Sequence, residues 1–375
     1  MKRWIVFLLL PIFPGIADAF PFETTVLNAE STYSAAGVSD IDRDGDLDII
    51  CGGWWYEAPE WKRHFVRDVP EIRGRFDGYS HLPLDVNADG DLDFINVNYR
   101  SEAIYWVERP DSLGEPWVSH TIALPGAMEN GMLADVDGDS VTDILPSGAR
   151  FSAWWRGSRD EKGRYSFERH DLVPPLQGHG LGFGDINGDG RDDIVGVSGW
   201  AEAPEDRVGG EWTWYGEFEL EKRASIPVLV EDVDGDGDND LVWSSAHDYG
   251  VFWLEQEHEG NARKWTRHMI DETWSQGHTP MWVDLDGNGI SEFVCGKRFL
   301  AHEGKDAGAN DPLVIFSYEF QKDTHDWKRR TVSEGNSVGW GLSPVAVDID
   351  DDGDIDLVCP GRSGLHLLIN EQGQR

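Results

Sequence analysis

An acidic nonapeptide, Asp-x-Asp/Asn-x-Asp/Asn-Gly-x-x-Asp with few exceptions, recurs seven times along the 375 residues, opening at Asp40, Asp85, Asp135, Asp185, Asp232, Asp284 and Asp348. The starts lie 45, 50, 50, 47, 52 and 64 residues apart. So regular a period means that one supersecondary unit is built seven times and stacked on its neighbours, because a unit of this size cannot bury its apolar face alone.

Oxygen-bearing side chains fall at positions one, three, five and nine of each copy. They are Asp40, Asp42, Asp44 and Asp48; Asp85, Asn87, Asp89 and Asp93; Asp135, Asp137, Asp139 and Asp143; and Asp185, Asn187, Asp189 and Asp193. The remaining copies supply Asp232, Asp234, Asp236 and Asp240; Asp284, Asp286, Asn288 and Glu292; and Asp348, Asp350, Asp352 and Asp356. Four such oxygens with a backbone carbonyl at position seven suit a hard cation, so calcium is expected at up to seven structural sites. Position six is Gly in every copy but the third, where Ser140 stands and the weakest site is expected.

An EF-hand would need Glu at position twelve and flanking helices. Position twelve here reads Cys51, Asn96, Pro146, Gly196, Trp243, Cys295 and Cys359, and two apolar residues follow each ninth-position acid. Short apolar runs on either side of a Gly turn are strands. A third strand is marked by Trp, often with Glu two residues on (Trp55-Tyr56-Glu57, Trp106-Val107-Glu108, Trp154, Trp214, Trp253-Leu254-Glu255). A fourth ends in His or Arg at His64, His120, His170, His268 and Arg330. Four strands per period predict an all-β, seven-bladed β-propeller with four-stranded blades. The last repeat stops after three strands, so the segment Phe22 to Leu27 is expected to close the seventh blade and remove the open edge.

The pattern resembles the FG-GAP or VCBS repeat family, whose propellers include the head of integrin alpha chains. The resemblance covers almost the whole chain after residue 19. It implies that the acids of each loop are calcium ligands and that the fold is a seven-bladed propeller. The Phe-Gly half of the family signature survives in part, at Phe183-Gly184. The outer strands and the Gly-Lys-Arg stretch at Gly296 also resemble, more weakly, the propeller part of aldos-2-ulose dehydratase, which eliminates water from oxidised sugars. Its cupin domains have no counterpart in these residues, so its activity does not carry over.

Residues 1–19 read as a secretory signal: Lys2 and Arg3, an apolar run from Trp4 to Phe13, then Ala17-Asp18-Ala19. That run is too short to span a bilayer. One propeller domain over residues 20–375, exported to a periplasm or the medium, is the expected organisation. The net charge of −38 excludes nucleic acid as a default partner. Because 31 of the 70 acids sit inside the nonapeptides, bound calcium would neutralise much of the excess. Cys51, Cys295 and Cys359 occupy equivalent second-strand positions and are expected to be free and packed as small apolar residues.

What recurs at equivalent positions is scaffold, which assigns His64, His120, His170 and His268 to the outer strands. His179 and His278 lie six residues before their loops and His81 four before its own, so all three are expected to face the channel from alternate blades. The start of each innermost strand and the turn between second and third strands share the rim opposite the calcium loops, which makes the metal structural and that rim the ligand site. Trp54, Trp200, His247, His302 and Trp340 are the candidate ligand-binding residues, with inserts at Trp200 to Gly210 and Leu300 to Pro312. Aromatic rings beside polar groups suit a carbohydrate or a cell-surface ligand. The alternative is a sugar lyase or dehydratase using His81, His179, His278, Tyr249, Lys297 and Arg298. Imidazoles there would suit Zn2+ or a similar ion, Lys297 and Arg298 would neutralise a carboxylate, and Tyr249 would donate a proton.

Overall fold

The apolar pair after each ninth-position acid pairs on both sides, with the strand that enters the loop and with the third strand. The result, in a computed structural model that describes residues 19–260, 262–335 and 337–372, is seven four-stranded antiparallel sheets. Blade 1 is Ala36–Ser39, Asp48–Cys51, Trp54–Glu57 and Lys62–Phe65, and blades 2 to 6 repeat the order. Blade 7 takes Val345–Val347, Asp356–Cys359 and Leu365–Asn370 from the end of the chain and Phe22–Asn28 from its start. Phe22 pairs with Asn370 and Val26 with His366, so the N-terminal strand closes the last blade as expected. The ring is also sealed at its inner edge, where Ala36 N donates to Ser343 O at 2.9 Å between blades 1 and 7. The signal segment lies outside the described residues, Ala19 excepted. No helix among the described residues is long and apolar enough to cross a membrane.

The loop glycines do what their position demands: Gly45, Gly90, Gly190, Gly237, Gly289 and Gly353 have φ between +83° and +104°, and Ser140 is held at +67°. The ninth-position acid is a tie between strands. Asp48 accepts from Ile41 N at 2.9 Å and from Ala58 N at 2.8 Å. Asp93, Asp143, Asp193 and Asp356 repeat this double acceptance. Burial pushes these carboxyls up, to about 6 at Asp48, about 7 at Asp93 and about 8 at Asp240. Carboxylates at positions one, three and nine converge, as Asp40, Asp42 and Asp48 do in the first loop.

The recurring aromatic residues form a second tie, in which outer-strand imidazoles stack on third-strand indoles. The pairs are Trp55–His64, Trp106–His120, Trp154–His170 and Trp253–His268, with centroids 4.4 to 4.9 Å apart. These histidines are scaffold, as their recurrence implied. The three cysteines are free and buried on their second strands. Blade 4 departs from expectation. Its third strand is Gly199–Glu202, and Trp214 lies on the fourth, Thr213–Tyr215. The insert after Trp200 therefore sits on the calcium-loop rim, where Arg207 Nη1 donates to Val136 O at 3.1 Å.

Candidate functional site at the channel mouth

Each innermost strand runs into its acidic loop, so the residue six positions before the loop stands at the opposite rim. That slot holds Ser34, Tyr79, Glu129, His179, Ile226, His278 and Leu342. Tyr79, Glu129 and His179 line a cavity of about 450 Å³ at this rim. Turns between second and third strands add Tyr99 and Arg100 from blade 2, His247 from blade 5, and Arg298 and His302 from blade 6. Arg223 enters from the loop before the innermost strand of blade 5, and Arg75 from a hairpin between blades 1 and 2. A separate cavity of about 530 Å³ runs between innermost strands and is mainly apolar, with Met132, Leu133, Phe183, Val228 and Val230 in its wall.

At the head of that channel three imidazoles face one another. Ring centroids are 5.2 Å apart for His179–His247, 5.6 Å for His179–His278 and 5.9 Å for His247–His278. His278 Nε2 lies 3.4 Å from Glu129 Oε1, and Arg298 Nη1 lies 3.9 Å from the same oxygen. Burial holds His278 far down, to about 3, with the Arg298 charge adding to it; burial likewise lowers His247 to about 4 against the pull of Asp306. Burial lowers His179 as well, so the neutral form is favoured in all three rings. Burial opposes ionisation of Glu129, and the nearby Arg298 charge favours its carboxylate.

The blade 6 insert is fastened over one side of the mouth. Asp306 meets His247 Nδ1 at 2.9 Å and His302 Nδ1 at 2.9 Å, and the two rings stack with centroids 4.4 Å apart. Lys297 Nζ donates to Gly308 O at 2.7 Å and Ser275 Oγ at 2.8 Å. Glu303 receives Arg75 from the blade 1–2 hairpin and Arg362 from blade 7.

Of the residues expected here, the structure gathers His179, His278, His247, His302 and Arg298 and disperses the rest. His81 is packed between blades 1 and 2, where its Nε2 accepts from Gly52 N at 3.2 Å and its ring meets the Phe94 edge. Trp200 is fully buried core, stacked on Tyr215 at 4.8 Å under the Arg263 guanidinium. Trp340 is buried and donates to Thr279 O at 2.7 Å. Trp54 lies between Phe65 and Arg63 on blade 1. Lys297 is spent on fastening the insert, and the Tyr249 hydroxyl donates to Asp311 within it. Glu129, Arg75 and Arg223 were not anticipated. Glu129 had a signal, because it shares the six-residue offset of His179 and His278; the two arginines lie in irregular connections and had none.

Residues 232–295, which span the blade 5 loop through the second strand of blade 6, match the model of the FG-GAP-like repeat. The chain carries an FG-GAP-like repeat. The propeller is similar to the solved structure of the exotype rhamnogalacturonan lyase YesX, at 11% identity and a TM-score of 0.50 over 96% of this chain and 75% of that one. It is also similar to an Agrocybe aegerita lectin that recognises non-reducing terminal N-acetylglucosamine, at 14% identity and a TM-score of 0.49 over 88% of this chain and 85% of that one. At these identities the likeness is one of fold.

Proposed function

We propose that the protein is an exported, calcium-stabilised propeller that binds an acidic carbohydrate at the channel mouth opposite the acidic loops. One observation carries the reading: on a chain of net charge −38, four arginines and three histidines line the mouth cavity against the single carboxylate of Glu129. Arg298 Nη1 and Arg100 Nε are buried without an acceptor, a cost that an incoming carboxylate or sulfate would offset. Tyr79 and Tyr99, near parallel with centroids 6.4 Å apart, supply ring surface for a sugar's C–H groups. The loops fit calcium by chemistry: converging hard oxygens, with a buried acid in each loop that gains from a nearby cation.

The test is calorimetric titration with a uronate oligosaccharide and a neutral oligosaccharide of equal length. The acidic sugar binds saturably and more weakly as salt rises, and Arg298→Ala weakens it at least ~10-fold, the loss expected for a buried charged hydrogen bond. Equal binding of both sugars, or of neither, removes the reading.

The neutral imidazoles beside Arg298 favour a second reading, a lyase. A base takes the proton next to a sugar carboxylate whose charge Arg298 neutralises, and the electron pair expels the β-oxygen. It requires an unsaturated, ultraviolet-absorbing product. Binding without product leaves a binding or adhesion module.

A further inference from the structure

We propose that Glu129, His179, His247 and His278 form a transition-metal site of the zinc class at the head of the channel. One donor atom from each of the four lies within 4.8 Å of all the others. The donors come from blades 3, 4, 5 and 6, so only the closed ring assembles them.

The hydrogen bonds behind the rings fix which nitrogen faces the centre. His179 Nδ1 lies 3.2 Å from Ala224 O, and a carbonyl only accepts, so Nδ1 carries the proton. His247 Nδ1 lies 2.9 Å from the Asp306 carboxylate. His278 Nδ1 lies 3.3 Å from Thr279 Oγ1, whose own proton is committed to Leu342 O at 2.9 Å. All three rings thus carry a proton on Nδ1 and turn Nε2 to the centre, each oriented by an oxygen on its far side as metal-binding imidazoles are.

His278 is fully buried and its Nε2 makes no hydrogen bond. His278 Nε2 and Glu129 Oε1 face each other at 3.4 Å with no hydrogen bond between them. Such a pair is costly unless a cation sits beside both. The spacing is that of two ligands on one ion: tetrahedral bonds of ~2.0–2.1 Å put neighbouring donors ~3.3–3.4 Å apart. Imidazole nitrogen suits zinc-class ions and is foreign to calcium, so this site is chemically distinct from the acidic loops on the other rim.

A metal here takes the lone pairs a general base would use, so its presence stands against the lyase reading with His as base and is independent of whether a sugar binds. The experiment uses the full chain carrying no histidine tag, kept in calcium. Metal analysis then finds about one zinc per chain, and titration with Co2+ alone gives the visible absorption of a nitrogen-ligated ion. His278→Ala and His179→Ala abolish that absorption with the far-ultraviolet circular dichroism retained. Asp306→Asn, which leaves all four donors in place, weakens Co2+ binding ~10–100-fold. His81→Ala changes nothing. A wild-type chain with neither retained zinc nor a Co2+ spectrum overturns the proposal, as does a Co2+ signal that Asp306→Asn and His278→Ala leave intact. If His278→Ala does not fold, the wild-type spectrum and Asp306→Asn decide.

Discussion

The imidazole of His64 lies flat against the indole of Trp55, with centroids 4.4 Å apart and planes at 15°, while its Nε2 meets Glu57 Oε2 at 2.5 Å. His120 and His268 repeat the arrangement on Trp106 with Glu108 and on Trp253 with Glu255. His170 stacks on Trp154, but its Nε2 has no hydrogen-bond partner. His120→Ala and His268→Ala are therefore expected to cost ~1–3 kcal/mol each, a stacked pair plus a solvent-screened hydrogen bond of ~0.5–1.5 kcal/mol, and His170→Ala only the stacking share of ~0.5–1.5 kcal/mol. Denaturation midpoints in saturating calcium measure the order; a larger loss at His170 would contradict it.

Where blades 1, 2 and 5 carry that Glu, blade 3 carries Arg156. Its guanidinium donates to Asp137, and to Asp139 at 2.7 Å, so the third loop already holds a positive charge. With Ser140 replacing the turn glycine, this loop is expected to bind calcium least. Arg156→Glu should raise the calcium stoichiometry measured by equilibrium dialysis by one ion per chain. An unchanged stoichiometry means that Arg156 is not what governs this loop.

Removing calcium should destabilise every blade at once, because each loop packs more acids together than its neighbouring cations neutralise. Chelation is expected to lower the unfolding temperature by well over ~10 °C, and added calcium to restore it. Asp240 tests the cause, since it is buried with Oδ2 unpartnered. Asp240→Asn should raise the unfolding temperature of the calcium-free chain while shrinking the gain that calcium gives. A variant less stable in both conditions would argue that the carboxylate serves the backbone tie alone.

Deleting residues 20–30 removes the strand that pairs Phe22 through Asn28 with Leu365–Asn370. The lost ladder bonds, at ~0.5–1.5 kcal/mol each, amount to several kcal/mol and leave an open edge. Thermal unfolding with size-exclusion chromatography should show a destabilised, self-associating chain. An unchanged monomer would remove the closure argument.

Burial pushes the Lys297 ammonium down to about 8 from its ordinary 10.5, with Asp311 and Asp306 opposing. Between those values the unfolded chain binds more protons than the native one, so this group's contribution to stability rises with pH across that window. Below pH 8 the charged, buried form is a constant cost. Wild type is expected to gain stability relative to Lys297→Met as pH goes from 8 to 10, measured as the difference in unfolding temperature. A flat difference sinks the assignment.

The blade count, the loops and the closing strand were legible because each rests on a local rule repeated seven times. A Gly turn, a converging acid set and an apolar pair need no distant partner to be recognised. The site was legible where it borrowed that period, at the six-residue offset of His179 and His278 and at the turns between second and third strands that hold His247, Arg298 and His302; Glu129 shares the offset but was not expected. His81 misled because the two-residue rule for strand faces was applied outside a strand: the innermost strand of blade 2 begins at Leu82, and the chain turns at Gly78 with φ +93° just before it. Trp200 misled because blade 4 has a long connection between its third and fourth strands, which displaced the Trp pattern by one strand.

By itself, the sequence determined what each blade is, since strand alternation, turn chemistry and hard-cation donor sets are properties of short segments. Only the tertiary structure decided which side chains meet. Glu129, His179, His247, His278 and Arg298 belong to four blades, and their convergence depends on the ring closing around one axis, which brings the same end of each innermost strand together however far apart in sequence they lie.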